Sequence, residues 1–224
     1  MFAIYSVSYG SELKKNGFSI TIPEGWVEIP REKIDEYTKV ISQSAPETPK
    51  YECAFQLASS KNWFEYPYIV VQINTKGRIP YSQLKKIKEY PAQENLEKHK
   101  KNLSTFLTDF QAGTMVYDKI NNKIWNKTSA NVNGIGPVSG LSCITPTNTG
   151  YIQVIGNSTN NYFSTYEPVF QIVAQSVSPE TSLVYTPNKF ETLPFGISSD
   201  WIGWKLIMLS SIIFILYALM QKKP

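Results

Sequence analysis

Residues 134–177 read GIGPVSGLSCITPTNTGYIQVIGNSTNNYFSTYEPVFQIVAQSV. Val138 to Pro146 and Tyr151 to Asn157 are apolar-rich runs on either side of Thr147-Asn148-Thr149-Gly150, a turn-forming tetrad, so the spacing predicts an antiparallel hairpin. Pro168 to Val177 then carries Phe170, Val173 and Ala174 on one side at helical spacing, which predicts a helix.

Working outward, Thr114 to Ile120 and Lys123 to Val132 flank Asn121-Asn122, a pair that tolerates the left-handed backbone of a tight turn, and predict a second hairpin. Before them come two helical stretches, Ser82 to Tyr90 and the longer Ala92 to Gln111, with Leu96, Leu103, Leu107 and Phe110 on its inner stripe. Two strands precede these. Tyr51 to Ser59 places Tyr51, Cys53, Phe55 and Leu57 on one face, and Tyr66 to Thr75 contains an Ile69-Val70-Val71 run that predicts a central strand covered on both faces. Nearer the start, Phe18 to Ile22 alternates as a strand, Pro23-Glu24-Gly25 turns the chain, and Pro30 opens a helix, REKIDEYTKVISQ, with Ile34, Tyr37 and Ile41 as its buried stripe. This order predicts an α+β fold, an α/β/α sandwich with a mainly antiparallel sheet.

The C-terminus has a different character. Leu206 to Met220 reads LIMLSSIIFILYALM without a charge, and extension back to Trp201 gives 20 residues with Lys205 alone charged. About 20 residues of helix span about 30 Å, the hydrocarbon thickness of a bilayer. Trp201 and Trp204 stand where interfacial aromatic anchors belong, Lys205 is placed to snorkel, and Lys222 and Lys223 close the other end. One transmembrane helix is therefore predicted, with lipid as its partner. The terminal lysine pair favours a cytoplasmic C-terminus and a domain on the periplasmic or extracellular side. The expected organisation is an N-terminal segment 1–16, a possible remnant of an export signal with Ser6-Val7-Ser8 as a small-residue cleavage site, then a globular domain 17–177, a linker 178–200, a membrane helix 201–220 and a basic tail 221–224.

Charge excludes one class of partner. The formal net charge is +4, but Lys205, Lys222 and Lys223 belong to the membrane segment, and without them 19 basic residues face 18 acidic ones. The domain has no bulk basic bias toward nucleic acid. Cys53 and Cys143 lie in different predicted strands. They read as two buried free thiols, and pairing would require their Cα atoms to lie within about 7 Å.

The opening FSITIPEGW, the central WFEYPYIVVQINTKGRIP and the closing 134–177 stretch resemble the PsbP-like α/β/α sandwich superfamily, which includes a photosystem II extrinsic subunit, a small Ran-binding protein and bacterial envelope proteins. The resemblance covers Gly17 to Val177. It implies a binding or assembly module without a fixed catalytic set, and the C-terminal anchor departs from the best-known members.

A search for chemistry finds little. His99, the single histidine, sits in Glu97-Lys98-His99-Lys100-Lys101, a solvated helix face, and one histidine excludes any multi-His metal site. Gly134, Gly136 and Gly140 fall one residue off the dinucleotide fingerprint and precede a strand, so they read as a turn with positive φ. Lys85-Lys86-Ile87-Lys88 and the Lys98–Lys101 cluster read as solvated faces, with lipid headgroups as the functional alternative. No cofactor or metal is expected. The unusual stretch is Trp63-Phe64-Glu65-Tyr66-Pro67-Tyr68, where Trp63, Phe64 and Tyr66 are the candidate partner-binding residues, set against the reading that alternate members turn into the core. The resulting expectation is a single-pass, non-catalytic interaction or assembly module with a protein partner. The alternatives are a membrane-tethered enzyme and a cytoplasmic tail-anchored adaptor.

Overall fold

The computed structural model describes residues 10–44, 51–75, 77–87 and 107–187, with the backbone alone for 40–44 and 107. Eleven strands and three helices are defined there. Ser11–Lys15 (β1) and Phe18–Ile22 (β2) form a hairpin, Trp26–Glu28 (β3) follows, and Arg31–Ser44 is the first helix (α1). Tyr51–Leu57 (β4), Tyr68–Asn74 (β5), Tyr81–Lys86 (α2), Leu107–Ala112 (β6), Val116–Asp118 (β7), Lys123–Val132 (β8), Gly136–Pro146 (β9) and Tyr151–Thr159 (β10) come next. Asn160–Ser176 (α3) and the short strand Ser178–Pro179 (β11) complete the set.

The main sheet has the order β3-β4-β5-β10-β9-β8-β6, with β7 also on β8 as its eighth strand, and every pairing is antiparallel. The β7–β8–β9–β10 meander follows from strands joined by tight turns, with Asn122 (φ 51°) in the β7–β8 turn and Gly134 (φ 83°) in the β8–β9 turn supplying left-handed positions. β5 lies inside the sheet with Tyr68 to Gln72 all buried, as its apolar run predicts.

The two faces are covered differently. On one face α3 and the small sheet β1-β2-β11 pack over Cys53, Phe55, Ile69, Val71, Leu141, Cys143, Ile152 and Val154. On the other, α1 lays Tyr37 against Tyr51, and α2 brings Leu84 into a cluster with Ile124, Ile144 and Tyr151. The antiparallel sheet with helices on both faces agrees with the globular part of the sequence-based fold class.

Several elements depart from expectation. Leu107–Ala112 is a strand, not the end of a helix: its pairing with β8 gains ladder hydrogen bonds that outweigh the fortuitous helical spacing of Leu107 and Phe110. The helix α3 begins at Asn160 and contains Pro168. Tyr51 does not share a face with Cys53, because a register shift between them reverses the alternation. The folded body also exceeds the expected bounds of 17–177. Ser11–Lys15 pairs with β2, and Ser178–Pro179 pairs with the other edge of β2. Beyond them Tyr185 is buried and its hydroxyl donates to the Ile79 carbonyl at 2.7 Å. Among the described residues no helix is long and apolar enough to cross a membrane. The predicted span Trp201–Met220, its anchors Trp201, Trp204, Lys205, Lys222 and Lys223, the bulk of the predicted helix 92–111, and His99 lie outside the described residues.

Cys53 and Cys143 are both buried and free. Through the registers Cys53–Val71–Val154–Cys143, two strands separate them. At about 4.8 Å per strand their backbones lie about 14 Å apart, twice the reach of a disulfide.

Gly156 marks the closest approach of sheet and helix. A Cβ there would stand 2.3 Å from Cγ of Phe170. Gly156→Ala is therefore expected to destabilise the protein by about 1–3 kcal/mol, the usual cost of overpacking. Phe170→Leu in the same chain should recover part of that loss. Strict additivity of the two changes in a denaturation series would contradict the contact.

Candidate functional site

The segment singled out by its aromatics forms the loop between β4 and β5. Gln56, buried on β4, holds it from below: its Nε2 donates to the Asn62 carbonyl at 3.0 Å and its Oε1 accepts from the Phe64 amide at 2.7 Å. Glu65 closes the loop from the surface, its Oε2 accepting from the Lys61 amide at 2.8 Å. Phe64 adopts φ 61°, a left-handed backbone that costs a non-glycine residue about 1–2 kcal/mol. Stacking on Tyr37, with ring centroids 4.0 Å apart and planes 12° from parallel, offsets that cost.

The structure thus separates the three candidate binding residues. Phe64 is fully buried and offers no surface to a partner. Tyr66 is half-buried against Tyr68, with centroids 5.1 Å apart. Trp63 faces outward, 39% exposed. Tyr37, Tyr51 and Tyr68 form the interior wall behind them, all fully buried. Burial holds the phenols of all three above their ordinary range, because a phenolate there would lose its hydration. They remain neutral packing groups, out of reach of any substrate.

Beside this wall runs a polar seam that the strand pattern did not reveal. Gln72 donates to Gln153, and Gln153 donates to the Ser142 hydroxyl at 2.7 Å, all three buried across β5, β10 and β9. Asn126 on β8 extends the same face and donates to the Gly113 carbonyl. The signal was present as glutamine and serine at alternate positions of otherwise apolar strands.

On the opposite face Lys123 is buried with its ammonium directed at the C-terminal end of α3. Nζ donates to the Ala174 carbonyl at 2.8 Å, the Val177 carbonyl at 3.4 Å and the Thr145 hydroxyl at 3.1 Å. The cation meets the negative end of the helix dipole and satisfies terminal carbonyls. Desolvation still lowers its pKa, and burial pushes the neighbouring Cys143 thiol up to about 12. An unreactive thiol beside a fully engaged ammonium is a structural pair.

One cleft of about 320 Å³ opens next to this face, lined by Gly113, Val116, Trp125, Lys127, Leu141 and Gln171. Glu167 guards its rim, paired with Lys127 at 2.6 Å. Gly134 and Gly136 occupy the β8–β9 turn with φ 83° and 97°, a hairpin and not a phosphate cradle. Lys85 and Lys86 are exposed on α2. Among the described residues no group of three or more His, Cys, Asp or Glu is placed to hold a metal ion.

No protein-family model matches the chain, and no curated protein matches it. Solved structures similar to it include the cyanobacterial PsbP protein of Synechocystis sp. PCC 6803, at 13% identity and a TM-score of 0.45, covering 80% of this chain and 97% of that one. The Ran-binding protein Mog1p of Saccharomyces cerevisiae is similar at 11% identity and a TM-score of 0.42, covering 78% and 96%. These likenesses are architectural and carry neither a role nor a residue across.

Proposed function

We propose that the chain is a single-pass membrane-anchored interaction or assembly module, non-catalytic, with its domain on the periplasmic or extracellular side and its C-terminus in the cytoplasm. The observation that supports this reading is the run Leu206–Met220, uncharged, preceded by Trp201 and Trp204 and followed by Lys222 and Lys223. The fold adds a polarity. The exposed Trp63 stands on the β4–β5 loop, at one end of the sheet, and the chain leaves the described fold at Pro187, at the other. A protein partner met by Trp63 would approach the end turned away from the tether.

Two measurements test this reading. The full chain should remain in the membrane pellet after an alkaline carbonate wash, and a chain ending at Asp200 should be released. Protease added to intact spheroplasts should digest the domain. Protection from protease, with the protein still in the pellet, would assign the domain to the cytoplasm, as in a tail-anchored adaptor.

A further inference from the structure

The end of the sheet where the chain leaves is built from four pieces. They are the C-terminal end of β5, the β9–β10 turn, the β7–β8 turn and residues 183–187. Asn74 pairs with Tyr151 at the start of β10, and the Gly77 amide donates to the Thr149 carbonyl at 3.2 Å. Val184 bridges Thr147, and Arg78 Nη2 donates to the Thr186 carbonyl at 2.8 Å. The β7–β8 turn closes at Asp118 and Lys123, one residue beyond the Ile124–Ile144 pair, and so reaches the same end.

At its tip stands Ile120, 94% exposed. It is rigidly presented. The Asp118 carboxylate accepts from the Ile120 amide at 2.9 Å, the Asn121 amide at 3.2 Å and the Asn121 side chain at 2.6 Å. The Tyr117 hydroxyl donates to Asn122 at 2.9 Å. These hydrogen bonds, that from the Asn121 side chain foremost, lower the pKa of Asp118 and occupy its charge within the turn. Lys119 flanks Ile120, and Val184, 48% exposed, belongs to the same end. A lone exposed aliphatic residue is ordinary on a protein surface; what distinguishes Ile120 is its place on an ordered turn at the end of the sheet from which the chain departs.

We infer that this end of the domain rests on the lipid bilayer, with Ile120 inserted at the headgroup boundary. The inference builds on the membrane-anchor reading. Residues 188–200 separate Pro187 from Trp201, a connection that reaches at most about 45 Å when fully extended. The opposite end of the sheet lies about 35 Å away, the length of the 11-residue β9. To turn that far end to the membrane would consume most of the connection. The near end can meet the bilayer with the connection slack. Burial of one isoleucine would hold a free protein on a membrane only weakly. The tether supplies a high effective lipid concentration, so the same burial becomes an orientational preference of about thirty-fold.

The buried thiols Cys53 and Cys143 leave the full chain free to carry one reactive reporter. In the full-length protein reconstituted into phosphatidylcholine–phosphatidylglycerol vesicles with spin-labelled lipid, a fluorophore on Ile120→Cys should be quenched several-fold more than one on Glu24→Cys at the opposite end. A fluorophore on Ser211→Cys reports the anchor. With the anchor quenched, equal quenching at 120 and 24 overturns this orientation and leaves the anchor reading intact. An unquenched anchor overturns both. To test the side chain itself, a reporter on Val184→Cys should lose quenching when Ile120→Asn is added, and unchanged quenching removes Ile120 from the contact.

Discussion

Between pH 9 and pH 11 the domain is expected to unfold cooperatively. Tyr37, Tyr51 and Tyr68 are held well above the ordinary phenol range by burial, Tyr151 is pushed up to about 12, and the Cys53 and Cys143 thiols are raised by the same desolvation. In the unfolded chain these groups release protons at their ordinary values, near 8.5 for the thiols and 10 for the phenols. Folded-state values raised in this way leave stability intact below the unfolded-state pKa and remove it as pH climbs toward the folded one. Each group removes about 1.4 kcal/mol per pH unit once its unfolded form ionises, so the six together remove about 12 kcal/mol by pH 11. That is comparable to the whole stability of a typical domain. Lys123, with its pKa lowered, acts in the opposite sense, but one group does not offset six. Far-ultraviolet circular dichroism and tyrosinate absorbance at 295 nm, followed together, give the check. The buried tyrosines should ionise in one step with loss of secondary structure. Smooth ionisation of all 14 tyrosines near pH 10, with the dichroism unchanged, would contradict the buried cluster.

The second large effect separates two neighbours in the chain. Phe64→Ala should cost about 3–5 kcal/mol, the range for a buried phenylalanine, since it removes the ring stacked on Tyr37. For a domain of this size that lowers the melting temperature by about 10 °C. Trp63→Ala, at a surface position that keeps 39% of its area exposed, should cost less, about 1–2 kcal/mol, and lower the melt by only a few degrees. If Trp63 anchors a protein partner, its loss should reduce crosslinking in native membranes while the domain stays folded. Equal destabilisation by the two changes would mean that the loop is not seated as described.

What could be read from the sequence, and what could not, has a physical pattern. The bounds of Lys123–Val132 are legible because Asn121-Asn122 before it and Gly134 after it mark turns. The helix from Arg31 was legible from Pro30 and its charged first turn. Tyr51 and Leu107–Ala112 depart from the sequence pattern at irregularities. The register shifts between Tyr51 and Cys53, and between Thr108 and Gln111 where Asp109 takes φ 53°, break the two-residue period that such reading relies on. The start of α3 is hidden from the sequence pattern because Asn160 to Thr165 contains poor helix formers and Pro168 lies inside. Packing of Tyr166 and Phe170 against Trp26 holds that helix together, and such contacts are invisible in a local window. The candidate site was half legible. Its aromatics were conspicuous by composition, but which of them faces solvent depended on Gln56, a residue that no local pattern singles out.

The segment from Ser178 to Pro187 has a mechanical meaning. It joins the body through the two-residue pairing with β2, the Glu180–Gly17 and Asn148–Leu183 backbone hydrogen bonds, the Val184–Thr147 bridge, the hydrogen bonds Tyr185–Ile79, Arg78–Thr186 and Thr186–Asn148, and the burial of Tyr185. A pull on the C-terminal side meets these bonds one after another. Their release pays out ten residues, about 34 Å of chain, before any load reaches the eight-stranded sheet. Load applied from the C-terminal side is therefore taken up first by this peripheral segment, with Tyr185 the one part of it seated in the core.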